Sequence, residues 1–118
     1  MLAAVWHGPN DMRLEERPIP EVVYGSILVK VKSCAICGSD LRILGEGNPR
    51  INPPHILGHE ISGEIVEVGE GVLNYVLGDR VATGADVPCG ECDQCKSGRP
   101  NCCNINYAIG YQFDGGYA

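Results

Sequence analysis

The sequence has 118 residues, of which 44% are apolar, so it is long enough for one domain with a modest hydrophobic core. Its formal net charge of −6 would repel phosphate backbones, and no segment approaches the ~18 consecutive apolar residues of a membrane-spanning helix. We therefore expect neither a nucleic acid nor a membrane as a partner.

The first third of the chain predicts short strands. Residues 2–6 and 12–16 have the pattern of two strands joined by a turn that contains Gly-Pro-Asn. Farther on, Ile27, Val29 and Val31 alternate with lysines, as in a strand with one buried face. Sixteen glycines and eight prolines favour frequent turns over long helices.

One short helix is predicted at residues 39–44. Ser39 or Asp40 could cap its first turn, because side-chain oxygens at that position accept hydrogen bonds from free backbone N–H groups. Gly45 would end the helix.

The remaining strands complete a mainly β pattern. Residues 61–68 alternate in polarity, and Gly63 within them suggests a β-bulge that would bend the strand. Two shorter strands are predicted near residues 77–81 and 108–111. Short strands with frequent glycine turns predict an all-β barrel that carries one or two helical turns.

A cysteine-rich loop is the strongest chemical signal in the chain. Three cysteines are spaced three residues apart and a fourth follows eight residues later, at Cys89, Cys92, Cys95 and Cys103. A Cys-x-x-Cys turn brings two thiolates to one side of a tight loop, where a tetrahedral zinc ion can bind both. Spacing alone does not choose between Cys103 and its neighbour Cys102 as the fourth ligand.

Disulfides and an iron–sulfur cluster are alternative uses of these cysteines. A total of seven cysteines leaves one unpaired, and the apolar run at residues 1–6 is too short and lacks the basic start of an export signal. A ferredoxin-type run would need a cysteine at position 99, where the chain has Arg99. Zinc in a reducing cytoplasm is the favoured interpretation, and the other two remain open.

A second candidate site consists of Cys37 and His59. Cys37 lies at the start of the predicted helix, whose positive end favours a thiolate and hence a metal ligand. Taken alone, a buried free cysteine and a hydrogen-bonded histidine are more often structural than ligating.

Together these motifs strongly resemble the zinc-containing medium-chain alcohol dehydrogenases, particularly polyol, threonine and bacterial alcohol dehydrogenase-like members. The resemblance includes the cysteine loop and three further motifs, which are Cys37-Gly38-Ser39-Asp40, Gly58-His59-Glu60 and Gly78-Asp79-Arg80-Val81. It implies a GroES-like (chaperonin-10-like) β-barrel with short helical turns and a zinc-binding lobe. Residues 1–118 would be this catalytic domain, incomplete at its C-terminus, and the Rossmann domain that binds the cofactor would be absent.

The resemblance also implies roles for individual residues. Cys37 and His59 match two ligands of a catalytic zinc ion, and Asp40 matches the acid that orients His59. Ser39 matches the hydroxyl that hydrogen-bonds the substrate alcohol, and Glu60 matches a carboxylate beside the metal. The ligands of a structural zinc ion would be Cys89, Cys92, Cys95 and Cys103.

The implied activity is oxidation of a small alcohol with NAD(P), which only the full-length enzyme would bind. No Gly-x-Gly-x-x-Gly motif is present, so we expect the 118 residues alone to be inactive. The resemblance implies that the chain retains only two of the three protein ligands of the catalytic zinc ion. We therefore expect that this site is empty or that Glu60 closes a distorted substitute. We also expect an exposed apolar surface that permits self-association. The alternative functions are a non-catalytic, zinc-stabilised structural or binding module and an iron–sulfur electron-transfer protein.

Overall fold

A computed structural model describes all 118 residues as a mainly β structure. Its eight strands are β1 (Leu2–Gly8), β2 (Asp11–Glu16), β3 (Ile27–Ala35), β4 (His55–Ile56), β5 (Glu60–Val68), β6 (Arg80–Ala82), β7 (Asp86–Val87) and β8 (Tyr107–Ala108). Two α-helices, α1 (Gly38–Glu46) and α2 (Asp93–Lys96), and a 3-10 turn (Pro100–Cys102) complete the fold. None of its helices has the length and apolar character needed to cross a membrane.

The strands form three sheets, with the orders β2-β1-β4, β3-β5-β6 and β7-β8, and their pairing is antiparallel. The predicted hairpin of β1 and β2 is confirmed, and Asn10 makes its turn with a positive φ of 60°. The strand predicted at residues 108–111 is wrong in its bounds, since β8 ends at Ala108. Gly110 turns the chain there with a φ of 76°, which leaves Ile109 a single bridge to Phe113.

The long pair β3–β5 is bent by two irregularities in its register. Lys32 has no partner between the pairs Val31–Gly63 and Ser33–Ser62, so the extra residue near Gly63 belongs to β3. The sequence instead predicts this bulge in β5. A side chain at Gly63 would not fit this close pairing, because its Cβ would lie 2.5 Å from the Lys30 carbonyl oxygen.

Helix α1 begins and ends differently from the sequence prediction. Cys37 is the N-cap residue, and its backbone N–H donates to the Asp40 carboxylate at 2.9 Å, as in one half of a capping box. Ser39 and Asp40 therefore lie inside the helix, and neither is its cap. Gly45 is also helical, and Gly47, with a φ of 80°, occupies the C-cap position.

Two small clusters form the hydrophobic core. One contains Trp6, Ile43, Ile51 and Leu57, and the other contains Ala3, Val5 and Ile56. Tyr117 packs against both clusters. The backbone of Tyr117 accepts a hydrogen bond from Ala4 at 2.7 Å and donates one to Leu57 at 3.1 Å, so residues 115–117 join β1 to the segment after β4.

Much apolar surface remains uncovered. Leu73 and Tyr24 are 92% and 78% exposed. Ile19, Leu28 and Val66 line an open groove of about 500 Å³ beside β3 and β5. The fold therefore leaves several apolar side chains exposed.

Candidate metal centres

The four cysteines predicted as ligands lie together. Cys89 precedes Gly90, whose φ of 74° turns the chain back, and Cys92 is the N-cap residue of α2. Cys95 lies within α2, and Cys103 follows the 3-10 turn. The four Sγ atoms are within 4.8 Å of one another, because each turn directs its sulfur to the same point.

The spacing of these sulfurs suits one tetrahedral ion. Zn–S bonds of about 2.3 Å place the sulfurs of a tetrahedral site ~3.8 Å apart. The Sγ atom of Cys95 lies 3.5 Å from that of Cys92 and 3.9 Å from that of Cys89. Cys102 is exposed and outside the cluster, so the structure groups Cys103, and not its neighbour, with the other three.

Backbone N–H groups contribute to the electrostatics of the cluster. Hydrogen bonds from the N–H groups of Cys89 and Asn106 lower the pKa of the Cys103 thiol to about 6. Burial and the neighbouring Cys92 thiol raise the pKa of Cys95 to about 12. A bound cation would favour the thiolate form at all four sulfurs, which is the form that ligates metals.

A second cluster brings together Cys37, Asp40 and His59. Cys37 Sγ lies 3.3 Å from His59 Nε2, although the two residues are 22 positions apart in the sequence. Ligation of one zinc ion by a sulfur and an imidazole nitrogen, at about 2.3 and 2.0–2.1 Å, would place the two atoms ~3.5 Å apart. The pair therefore fits a metal ion with little rearrangement.

The Asp40 carboxylate lies behind the His59 ring. Asp40 is 5% exposed, and its Oδ1 atom is buried without a hydrogen-bond partner. This atom lies 3.7 Å from His59 Nδ1, which is longer than a hydrogen bond but short enough for a small ring rotation to form one. An Nδ1–H group bonded to Asp40 would leave the Nε2 lone pair free for a metal.

Ser39 lies next to this pair, whereas Glu60 is not grouped with it and lines a cleft that it shares with His59. Ser39 Oγ is 2.8 Å from Cys37 Sγ. Glu60 is exposed at the start of β5, where it lines an open cleft of about 550 Å³ together with His59 and Thr83. The cleft gives a small molecule access to the edge of His59.

Two tyrosines near the site were not identified from the sequence. The Tyr111 ring lies 6.1 Å from the His59 ring, centroid to centroid. The Tyr117 hydroxyl donates to the Ala35 carbonyl oxygen at 3.2 Å, and burial followed by the Asp40 charge raises its pKa. Both tyrosines come from residues after 110, and no local sequence pattern connects them with His59.

A comparison with known families identifies the class of protein to which this mainly β domain, with its four-cysteine cluster and its separate Cys–Asp–His cluster, belongs. Residues 24–118 match the family model of the alcohol dehydrogenase GroES-like domain, and the chain belongs to this family. The fold class predicted from the motifs is thereby confirmed.

Named relatives agree with this assignment. The chain is 43% identical over 106 residues to sorbitol dehydrogenase of Bacillus subtilis (strain 168), covering 87% of this chain and 30% of that protein. It is 43% identical over 109 residues to an uncharacterized zinc-type alcohol dehydrogenase-like protein of Haemophilus influenzae, covering 92% and 32%.

A solved structure gives the same result. The short chain alcohol dehydrogenase rspB of E. coli CFT073, crystallised with NADH, superposes with a TM-score of 0.90 at 40% identity and covers 99% of this chain and 34% of that one. The chain spans about a third of the length of these relatives.

Proposed function

We propose that this chain is the zinc-binding part of the catalytic domain of an NAD(P)-dependent alcohol dehydrogenase. The observation that carries the proposal is the Cys37–His59 pair, whose Sγ and Nε2 atoms converge at 3.3 Å in front of a buried carboxylate. Similarity to sorbitol dehydrogenase supports a small secondary alcohol or polyol as the substrate of the whole enzyme, and similarity to a structure crystallised with NADH supports a nicotinamide cofactor.

In this proposal Cys37 and His59 hold the catalytic zinc ion. When bound, zinc would supply Lewis-acid polarisation of the alcohol oxygen, and NAD(P) would supply the hydride acceptor. Asp40 holds the proton on His59 Nδ1 and thereby keeps Nε2 available and the ring oriented. Ser39 hydrogen-bonds the alcohol and takes its proton towards solvent, since its hydroxyl is both a donor and an acceptor. Glu60 supplies a carboxylate beside the metal.

The four-cysteine cluster holds a structural zinc ion in this proposal. Its ligands would be the Sγ atoms of Cys89, Cys92, Cys95 and Cys103, and four sulfur ligands would leave no open position for a substrate. This ion would order the loop without taking part in the reaction. The cluster needs reduced thiols, so we place the protein in the cytoplasm.

Metal content per chain tests the structural site, and the adjacent cysteines supply a matched control. Elemental analysis of the chain purified without added metal should find about one zinc ion and no iron. Cys103→Ser should lose this zinc, whereas Cys102→Ser, which changes the neighbouring residue outside the cluster, should retain it. Iron in place of zinc, or equal loss in both variants, would overturn the structural zinc site.

Excess zinc and an activity assay test the second site. A second ion should bind weakly to the native chain and not to Cys37→Ser, because the pair supplies only two of the ligands that zinc needs. We also propose that the 118 residues alone do not oxidise alcohols and that they self-associate through the exposed apolar surface. Robust reduction of NAD(P) by the purified chain would contradict the predicted inactivity. Sedimentation as a monomer would contradict the predicted self-association.

A further inference from the structure

Arg50 connects two parts of the chain that are far apart in sequence. It lies in the loop between α1 and β4, and its Nη2 atom donates to the Asn106 carbonyl oxygen and, at 3.4 Å, to Gln112 Oε1. Gln112 returns a hydrogen bond from Nε2 to the Arg50 carbonyl oxygen at 3.3 Å. These contacts span 56 and 62 residues, so they connect the segment after Cys103 to the loop between α1 and β4.

One end of this connection reaches the four-cysteine cluster. Asn106 lies three residues after Cys103, the fourth cysteine of the cluster, and its backbone turns there with a φ of 55°. The Asn106 carbonyl oxygen accepts the hydrogen bond from Arg50. A shift of the segment after Cys103 would therefore move this carbonyl oxygen.

The other end reaches His59. The Arg50 guanidinium carbon lies 5.1 Å from the centroid of the Tyr111 ring, within the range of a cation–π contact. The Tyr111 ring in turn lies 6.1 Å from the His59 ring at an angle of 54°. A chain of contacts thus runs from Cys103 through Asn106, Arg50 and Tyr111 to the imidazole.

We propose that Arg50 is a positioning residue that couples metal binding at the four-cysteine cluster to the orientation of the His59 ring. A metal ion at the cluster orders residues 103–106, the ordered Asn106 carbonyl oxygen holds the guanidinium, and the guanidinium seats Tyr111 against His59. Arginine suits this role because its planar group donates at its edge and stacks on a ring with its face, which an ammonium group cannot do. The inference rests on the proposed structural metal site.

The NMR signals of the His59 imidazole test the coupling independently of catalysis. The metal-free chain is titrated with Zn²⁺ up to one equivalent, and the ring ¹H–¹³C signals of His59 are followed. In the native chain these signals should shift as the cluster fills. In Arg50→Met zinc uptake should be unchanged and the His59 shift should be lost.

Matched variants separate this coupling from general effects. Arg80→Met removes an exposed arginine that makes no side-chain hydrogen bond or ion pair, and it should keep the full shift. Tyr111→Phe keeps the ring and should keep the shift, whereas Tyr111→Leu should lose it. If Arg50→Met fails to bind zinc, Tyr111→Leu becomes the test of the coupling, because this variant keeps the Arg50–Asn106 hydrogen bond and removes only the ring between Arg50 and His59.

Direct binding of zinc at His59 is the competing explanation, and Cys37→Ser tests it. Removal of this sulfur should leave the His59 shift intact under the proposal. Loss of the shift in Cys37→Ser, or a full shift in Arg50→Met or in Tyr111→Leu, overturns the coupling. A native chain that binds no zinc overturns the structural metal site as well, so the two failures are distinguishable.

Discussion

Replacing Gly58 by alanine should destabilise the fold by about 2–5 kcal/mol. Gly58 is buried directly before His59, and its φ of +92° is one that residues with a Cβ rarely adopt. An alanine Cβ would also lie 2.8 Å from Cys34 Sγ and 2.8 Å from Cδ1 of Tyr117. The backbone strain costs about 1–2 kcal/mol and the overpacking about 1–3 kcal/mol, which gives the range stated.

Two other glycines isolate these contributions. Gly78 has a similar φ of +88° with no atom within 4 Å of an added Cβ, so Gly78→Ala should cost only the strain of about 1–2 kcal/mol. Gly45 lies inside α1 with open space around it, so Gly45→Ala should stabilise the chain by about 0.5–1 kcal/mol. The three substitutions therefore differ in sign and size for stated reasons.

Urea unfolding of the zinc-loaded chain measures the free energy of unfolding of all three variants. The free zinc concentration is kept fixed, because bound metal adds to the apparent stability. With a slope of about 1–3 kcal/mol per molar, a loss of ~3 kcal/mol lowers the midpoint by at least ~1 M. A Gly58→Ala variant no less stable than Gly78→Ala would show that Cys34 and Tyr117 do not pack against this backbone, and the reasoning would be refuted.

Three further predictions concern the metal, the core and a tyrosine. Chelation of zinc should abolish hydrogen-exchange protection in α2 while β3 and β5 stay protected. Cys103 is the only buried residue from 89 to 103, so this segment has little hydrophobic core to hold it without the metal. Protection of α2 that is retained in the metal-free protein would contradict this prediction. Ile43→Ala, at a site 2% exposed, should cost about 2–5 kcal/mol by calorimetry, and a loss below ~1 kcal/mol would argue against its burial. Burial and the Asp40 charge raise the pKa of Tyr117, so this residue should ionise above the ordinary range of a tyrosine. The measurement is the difference between the absorbance titrations of the native chain and of Tyr117→Phe, and a difference that appears within the ordinary range would contradict the raised pKa.

Local patterns in the sequence predicted most of the strands. The alternation of Ile27, Val29 and Val31 with lysines corresponds to β3, and residues 61–68 correspond to β5, with Ile61 and Ile65 buried. These patterns succeed because one face of each strand is packed and the other is solvated. The site residues were predictable only from family motifs, because Cys37 and His59 are 22 positions apart and no periodicity relates them.

Features that depend on distant contacts were not predictable. The sequence predicts Ser39 or Asp40 as the helix cap, whereas Cys37 is the N-cap residue, because the start of α1 depends on where β3 ends. Spacing did not choose between Cys102 and Cys103, since the direction of each sulfur is set by the 3-10 turn before it. The stacking of Arg50 on Tyr111 joins loops 61 residues apart and leaves no local signal.

The position of residues 115–117 between β1 and the segment after β4 bears on how the chain folds as a ribosome makes it. Ala4 leaves the ribosome 113 residues before Tyr117, yet the backbone N–H group of Ala4 donates its hydrogen bond to the Tyr117 carbonyl oxygen. Contacts over such distances in sequence slow folding, and they prevent the early hairpin from completing its core during synthesis. A nascent chain arrested before residue 115 should therefore be held open and be sensitive to proteases, and release past Tyr117 should close it.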